Sequence, residues 1–106
     1  MVARIWHGRT PAEKAEAYHS FLEERAVPDY EGVEGCLGVY ILHRIDGEVA
    51  HFQTLTFWTS EEAIRAFAGD DVLKAKYYAE DEDFLLEFEK QVRHFEFTEG
   101  RALSAV

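Results

Sequence analysis

The stretch from His51 to Phe67 reads HFQTLTFWTSEEAIRAF, a strand-like run that passes directly into an amphipathic helix. The part that ends at Trp58 is rich in β-branched and aromatic side chains, which favour strands. Thr59 and Ser60 then stand where an N-cap belongs, and Glu62 lies at the capping-box spacing from Thr59. The pattern predicts a helix that begins at this corner, with Trp58 at the edge of the space between sheet and helix.

The predicted strand has two distinct faces, because alternate side chains of a strand point in opposite directions. One face carries Phe52, Thr54, Thr56 and Trp58, and the other carries His51, Gln53, Leu55 and Phe57. We expect the first face to lie beneath the helices and to form a threonine-lined pocket floor. The second face is too apolar to face water alone, which predicts that a second copy of the chain covers it as a homodimer.

The segments around this stretch complete the order β-α-β-β-α-β. Residues 2–7 predict a first strand, and Thr10-Pro11-Ala12-Glu13 predicts a capped helix start. That helix should end near Val27, because Pro28 disfavours helical geometry in the residue before it. Asp46-Gly47 predicts a hairpin turn that pairs the second strand with the third.

The C-terminal third of the chain predicts further helix and a closing strand. A second helical piece is expected over residues 72–78, and a last strand over residues 91–97. The order predicts an α+β, ferredoxin-like fold as a single domain at residues 1–97. Residues 98–106 have a weak pattern and are expected to form a loose tail.

Composition excludes several classes of function. The chain has 106 residues and a formal charge of −10, with 11 basic against 21 acidic residues. Nucleic acids and anionic membranes attract cationic surfaces, so neither is expected as a partner. No apolar run approaches a membrane span and no signal peptide is recognised, which favours a cytoplasmic location. The single cysteine, Cys36, gives neither a disulfide framework nor a zinc-ligand spacing.

The familiar catalytic signatures are absent, and aromatic and imidazole side chains remain as candidates. There is no glycine-rich phosphate loop, no G-x-S-x-G elbow and no pair of histidines four residues apart. We therefore expect no metal and no cofactor. His7 is the candidate base, and Tyr77 and Tyr78 are candidates for holding a substrate oxygen. Thr54, Trp58 and Phe67 are the candidate substrate-binding residues, whereas the roles of His51 and His94 stay open.

The βαββαβ order, the junction from Trp58 to Ala63 and the region from Phe67 to Tyr77 resemble the antibiotic biosynthesis monooxygenase superfamily. The resemblance covers roughly residues 1–97 and implies a dimeric α+β barrel of two ferredoxin-like sheets. Cofactor-independent members oxidise phenolic substrates between sheet and helices, against a tryptophan that Trp58 resembles. An asparagine four residues before that tryptophan corresponds to Thr54 in this chain.

The resemblance argues against heme degradation. Heme-degrading members of the superfamily use an asparagine, a tryptophan and a histidine, where this chain has His7, Phe67 and Tyr77. The function implied is that of a small-molecule monooxygenase acting on an aromatic or enolisable substrate. Two alternatives stay open: a non-catalytic dimeric binding or stress protein for a hydrophobic molecule, and an isomerase or lyase on the same fold.

Overall fold

Residues 1–101 are described by a computed structural model. Four strands, β1 (Val2–Pro11), β2 (Cys36–Asp46), β3 (Val49–Trp58) and β4 (Arg93–Glu96), form one sheet in the order β2-β3-β1-β4. All neighbouring strands are antiparallel. The predicted α+β, ferredoxin-like fold is confirmed. The predicted tail at 98–106 lies in part outside the described residues.

The first strand is longer than its sequence pattern predicted. β1 continues to Pro11, which pairs with Val49, and Thr10 is fully buried in the sheet. The predicted capping box at Thr10 is therefore wrong, and the Thr10 hydroxyl donates to the Pro11 carbonyl instead. Proline is tolerated here because β4 pairs only with the beginning of β1, so the Pro11 nitrogen opposes no strand on that side.

The first helical region also runs past its predicted end. A 3₁₀ turn (Ala12–Lys14) leads into α1 (Ala15–Phe21), a π-helical turn (Leu22–Ala26) and α2 (Val27–Glu31). The prediction of an end near Val27 is wrong, because the wider π turn accommodates Pro28. The Val27 amide donates to the Leu22 carbonyl, five residues back, and the proline then occupies the first turn of α2, where its missing N–H costs little.

The second helical region is shorter than predicted. α3 (Glu61–Ala68) is capped by the Ser60 hydroxyl, which accepts from the Ala63 amide at 3.3 Å. The helix predicted over residues 72–78 is absent, and a 3₁₀ turn (Ala79–Asp83) is the regular element before β4. We call residues 69–92 the connecting segment. Its backbone pairs with itself, as Val92 donates to Leu73 at 2.8 Å and Ala75 donates to Lys90 at 2.9 Å.

Burial confirms the predicted alternation along β3. Ala50, Phe52, Thr54, Thr56 and Trp58 are buried under the helices, and the intervening residues are only partly covered. We call the two sides of the sheet the helix face and the open face. Within residues 1–101, every helix is too short or too polar to cross a membrane.

Arg4 fastens the connecting segment to the sheet. Its side chain is 2% exposed and donates to the carbonyls of Val72 and Lys74, the latter at 3.1 Å. Arg4 Nη1 lies 3.1 Å from His94 Nε2, which must accept because the guanidinium only donates. Burial, with the Arg4 charge second, lowers the pKa of His94, although Glu61 acts to raise it. His94 is therefore neutral at pH 7 and bears its proton on Nδ1.

Because the pKa of His94 is lowered in the folded state, we expect the free energy of unfolding to decrease in mild acid. An unfolded histidine gains a proton near pH 6.5, whereas folded His94 resists protonation, so the unfolded state is favoured as the pH falls below about 6.5. In His94→Gln, an amide oxygen can still accept from Arg4 and does not titrate. We expect the stability difference between pH 7 and pH 5, measured by urea unfolding, to be smaller in this variant than in the wild type. Equal differences in the two proteins would contradict the assignment.

Candidate functional site

A cleft lies between the helix face of the sheet and the helices. Its volume is about 20 Å³, close to the space that one water molecule needs. The polar and aromatic side chains that line it are Trp6, Tyr18, Tyr30, Thr54, Lys76, Tyr78 and Asp81. A substrate larger than water can therefore enter only if part of this lining moves.

A carboxyl group and a phenol pair inside the cleft. Asp81 is 3% exposed; its Oδ1 accepts from the Tyr18 hydroxyl at 2.9 Å, and its Oδ2 accepts from the Tyr78 amide at 2.7 Å. Burial raises the pKa of Asp81, although the Tyr78 amide and the Tyr18 hydroxyl act to lower it. Burial also raises the pKa of Tyr18. Asp81 therefore holds a proton more readily than an ordinary carboxyl, and the Tyr18 hydroxyl beside it is a neutral hydrogen-bond donor.

A second carboxylate closes the outer side of the cleft. Asp29, in α2, accepts from the Tyr78 hydroxyl at 2.5 Å and from Lys76 Nζ at 3.0 Å. Burial acts to raise the pKa of Asp29, but the hydrogen bonds from Tyr78 and Lys76 lower it below its usual value. Asp29 thus stays ionised and fastens the connecting segment to α2. Opening the cleft on this side requires these bonds to break.

The side chains predicted to bind substrate lie in or behind this cleft. Thr54 lines the cavity, and its hydroxyl lies 3.4 Å from the Tyr30 hydroxyl. Trp58 and Phe67 are buried, and both rings pack on Tyr30; the Phe67 ring is stacked on it with a centroid distance of 4.4 Å. Trp58 Nε1 donates to Thr56 at 2.8 Å. These residues shape the wall, and of the three only Thr54 lines the cavity.

The structure places the three predicted catalytic residues in three different locations. Tyr78 lines the cleft. Tyr77 packs on Trp6 and donates its hydroxyl to the Glu89 carbonyl at 2.6 Å, outside the cavity. His7 lies on the open face, where it pairs with Gln53 in register and contacts Glu89 and His51. The expectation that His7 shares the cleft with the tyrosines is wrong, because Trp6 faces the helices and adjacent strand residues point to opposite faces.

Sequence reasoning missed the polar residues that line the cleft. Asp81 lies in the acidic run from Glu80 to Asp83, which is typical of a helix N-terminus, and Tyr18 lies at the spacing of an apolar helical stripe. Trp6 also lines the cavity, and its ring packs edge-on against Tyr77.

Comparison with known families agrees with this arrangement of sheet, helices and cleft. Residues 1–76 match the model of the antibiotic biosynthesis monooxygenase family. The chain belongs to that family. The match includes Tyr18, Tyr30, Thr54 and Lys76 of the cleft and ends before Asp81. The matched residues therefore include β1 to β3 and most of the cleft lining, but not β4, Tyr78 or Asp81.

Solved structures support the same fold. Fourteen chains match significantly. One is the crystal structure of a Bacillus cereus protein provisionally described as an antibiotic biosynthesis monooxygenase, which is 13% identical with a TM-score of 0.50. The alignment covers 99% of this chain and 95% of that one, so the likeness extends over the whole fold. No functionally curated protein matches the chain significantly. Among residues 1–101, no group of three or more histidine, cysteine or acidic side chains is arranged to bind a metal ion.

Proposed function

We propose that the protein is a small-molecule enzyme of the monooxygenase type, which removes a proton from an aromatic or enolisable substrate in the cleft. Asp81, buried beside the Tyr18 hydroxyl in a chain of this family, is the observation that supports it most. A carboxylate with a raised pKa is a stronger base than an ordinary carboxylate. The aromatic side chains at the cleft, such as Trp6 and Tyr30, suit an aromatic ring. The Tyr78 hydroxyl, once it leaves Asp29 as the cleft opens, is a donor for the substrate oxygen.

The proposed reaction needs no group besides substrate and dioxygen. The C–H bond of an activated methylene breaks, its proton goes to Asp81, and the carbanion attacks dioxygen. The balanced outcome converts the CH₂ group and O₂ into a carbonyl group and water. Because Asp81 must be ionised to accept the proton, we expect turnover to fall in acid as the pH drops through its raised pKa.

Oxygen uptake with a panel of phenols, anthrones and 1,3-diketones tests this function. We expect Asp81→Asn to lower turnover of the cognate substrate by about 10²- to 10⁴-fold, the range of general-base catalysis. Asp83→Asn is the matched control, since Asp83 is an exposed acid two residues away. Unchanged turnover in Asp81→Asn would exclude Asp81 as the general base. Binding without turnover would favour the binding-protein alternative, and product without oxygen uptake an isomerase or lyase.

We also propose that the protein is a homodimer through the apolar end of the open face. Tyr40, Leu55, Phe57, Phe95 and Phe97 lie there, and Tyr40 is 57% exposed and Phe95 51% exposed. Aromatic side chains so exposed on one sheet face typify an interface.

Sedimentation velocity at micromolar concentration should show a dimer, which Tyr40→Glu weakens at least about 30-fold, as expected for an interface residue worth about 2 kcal/mol. The matched control is Ile45→Glu, because Ile45 is an exposed residue of the same strand with the opposite parity. A wild-type monomer, or equal weakening by both substitutions, would contradict the proposed interface.

A further inference from the structure

The open face has a polar end that the proposed function does not use. A groove of about 280 Å³ lies there, lined by His7, Leu42, His43, Arg44, His51 and Gln53. The sheet separates this groove from the cleft, since His7, His51 and Gln53 have the opposite parity to Trp6 and Thr54. We call it the histidine groove. Its volume is near the lower limit for ligand pockets and suits a single-ring molecule.

Two imidazoles and a carboxylate form a chain of hydrogen bonds at one wall of the groove. His7 Nδ1 contacts Glu89 Oε2, and His7 Nε2 lies 3.2 Å from His51 Nδ1. The two ring planes are 28° apart with centroids 5.4 Å apart, so the rings meet edge to edge. Glu89 belongs to the connecting segment, His7 to β1 and His51 to β3. The three hydrogen-bonded side chains are thus positioned by three separate parts of the fold.

The carboxylate fixes the position of each proton along this chain. An ionised carboxylate can only accept, so the His7 proton is on Nδ1 and its Nε2 has a free lone pair. That lone pair accepts from His51 Nδ1–H, which leaves Nε2 of His51 unprotonated. His51 is therefore held as the tautomer that can take up a proton at Nε2. The resulting imidazolium is stabilised through His7 by the charge of Glu89, as in other carboxylate–histidine pairs.

The charges around the groove indicate what kind of molecule it binds. Arg9 forms a two-point ion pair with Glu87, at 2.7 and 2.8 Å, so its charge is compensated. Arg44 is 70% exposed and approaches Asp46 only at 4.0 Å, which leaves the guanidinium available to a ligand. Arg9 and Arg44 balance Glu87 and Glu89, so the groove has little net attraction for a preformed anion. It suits a neutral weak acid that becomes an anion inside.

We propose that the histidine groove binds a small phenol and deprotonates it. The O–H bond breaks, its proton goes to Nε2 of His51, and the phenolate oxygen stays beside Arg44 and the Gln53 amide. Leu42 supplies an apolar surface for the ring. His51 is the catalytic residue, while His7 and Glu89 are positioning residues that act through it. The proposal does not depend on Asp81 or on the cleft.

The chromogenic probe 4-nitrophenol tests the groove, because its anion absorbs visible light and its neutral form does not. Near neutral pH, where the free probe is a mixture of its neutral and anionic forms, binding to the wild-type protein should increase the phenolate band. His51→Asn keeps an N–H for His7 but removes the base, and we expect at least about a tenfold loss of bound anion. Glu89→Gln should weaken the band by about the same factor. Arg44→Gln should raise the Kd about tenfold. His94→Gln, on the helix face of the sheet, is the matched control and should keep the band.

A ligand-free measurement keeps the proposal falsifiable if a variant folds poorly. Long-range proton–nitrogen NMR spectra of the wild-type protein should show neutral His51 protonated on Nδ1, and Glu89→Gln should mix the tautomers. His51 protonated on Nε2 in the wild type would overturn the proposal. So would an undiminished phenolate band in His51→Asn, or no band with wild type at millimolar probe. Loss of turnover in Asp81→Asn with the band retained would separate this site from the cleft.

Discussion

Replacing Arg4 with methionine is expected to lower the free energy of unfolding by about 3 kcal/mol at neutral pH. Methionine has a similar length but no donor, so the carbonyls of Val72 and Lys74 lose their partner. Each buried acceptor left unpaired costs about 1 to 3 kcal/mol. Among residues 1–101 no carboxylate forms an ion pair with Arg4, so relief from burying its guanidinium offsets part of that cost.

The matched control for this prediction is Arg93→Met. Arg93 is an exposed residue of β4, and the same change there should alter stability by less than about 0.5 kcal/mol. Urea unfolding at one protein concentration measures both variants. Hydrogen exchange adds a local readout: the amides of Ala75 and Val92, which hold the connecting segment together, should lose protection in Arg4→Met. Unchanged stability and protection would show that Arg4 does not fasten this segment.

The Trp58→Ala variant should lose about 4 kcal/mol of stability, within the range of large aromatic truncations. Trp58 is fully buried, packs against Tyr30 and Phe67, and donates to Thr56 at 2.8 Å. Truncation removes the ring on which the wall of the cleft rests, and the cavity left behind adds to the lost burial. For a domain of this size, such a loss consumes a large part of the total stability.

The Trp58→Phe variant separates packing from hydrogen bonding. Phenylalanine keeps an aromatic ring and lacks the indole N–H, so we expect a loss of about 1 to 2 kcal/mol. Chemical unfolding followed by circular dichroism gives both values without depending on the fluorescence of the residue that is changed. Equal losses in Trp58→Ala and Trp58→Phe would mean that the bond to Thr56, and not the ring, carries the effect.

The sheet was predictable because its signals are local. The alternation along β3, the Asp46-Gly47 turn and the capped corner at Ser60 each involve neighbours in sequence, and the turn shows Gly47 at a φ of +64°. The same alternation, applied to Trp6 and His7, would have placed His7 on the open face. The sequence carried that information.

The polar residues of the cleft and the connecting segment were not predictable in the same way. Nothing in the run from Glu80 to Asp83 distinguishes the one carboxyl that is buried, because Tyr18 lies far away in the chain. The expected helix at 72–78 has suitable residues, but the Arg4 bonds and the pairing of Leu73 with Val92 satisfy its backbone in another conformation. Long-range contacts overrode the local preference.

The π turn at Leu22–Ala26 sets the angular position of every side chain that follows it in the first helical region. Tyr18, Leu22, Ala26 and Tyr30 are all buried although they are spaced by four. In a uniform α-helix each such step overshoots a full turn by about 40°, so Tyr30 would be rotated about 120° from Tyr18. The wider turn takes up part of this excess rotation, so the Tyr30 ring meets Phe67. Deleting one residue there would turn Tyr30 by about 100°. The extra residue of the π turn thus sets the rotation at which the Tyr30 ring packs on Phe67.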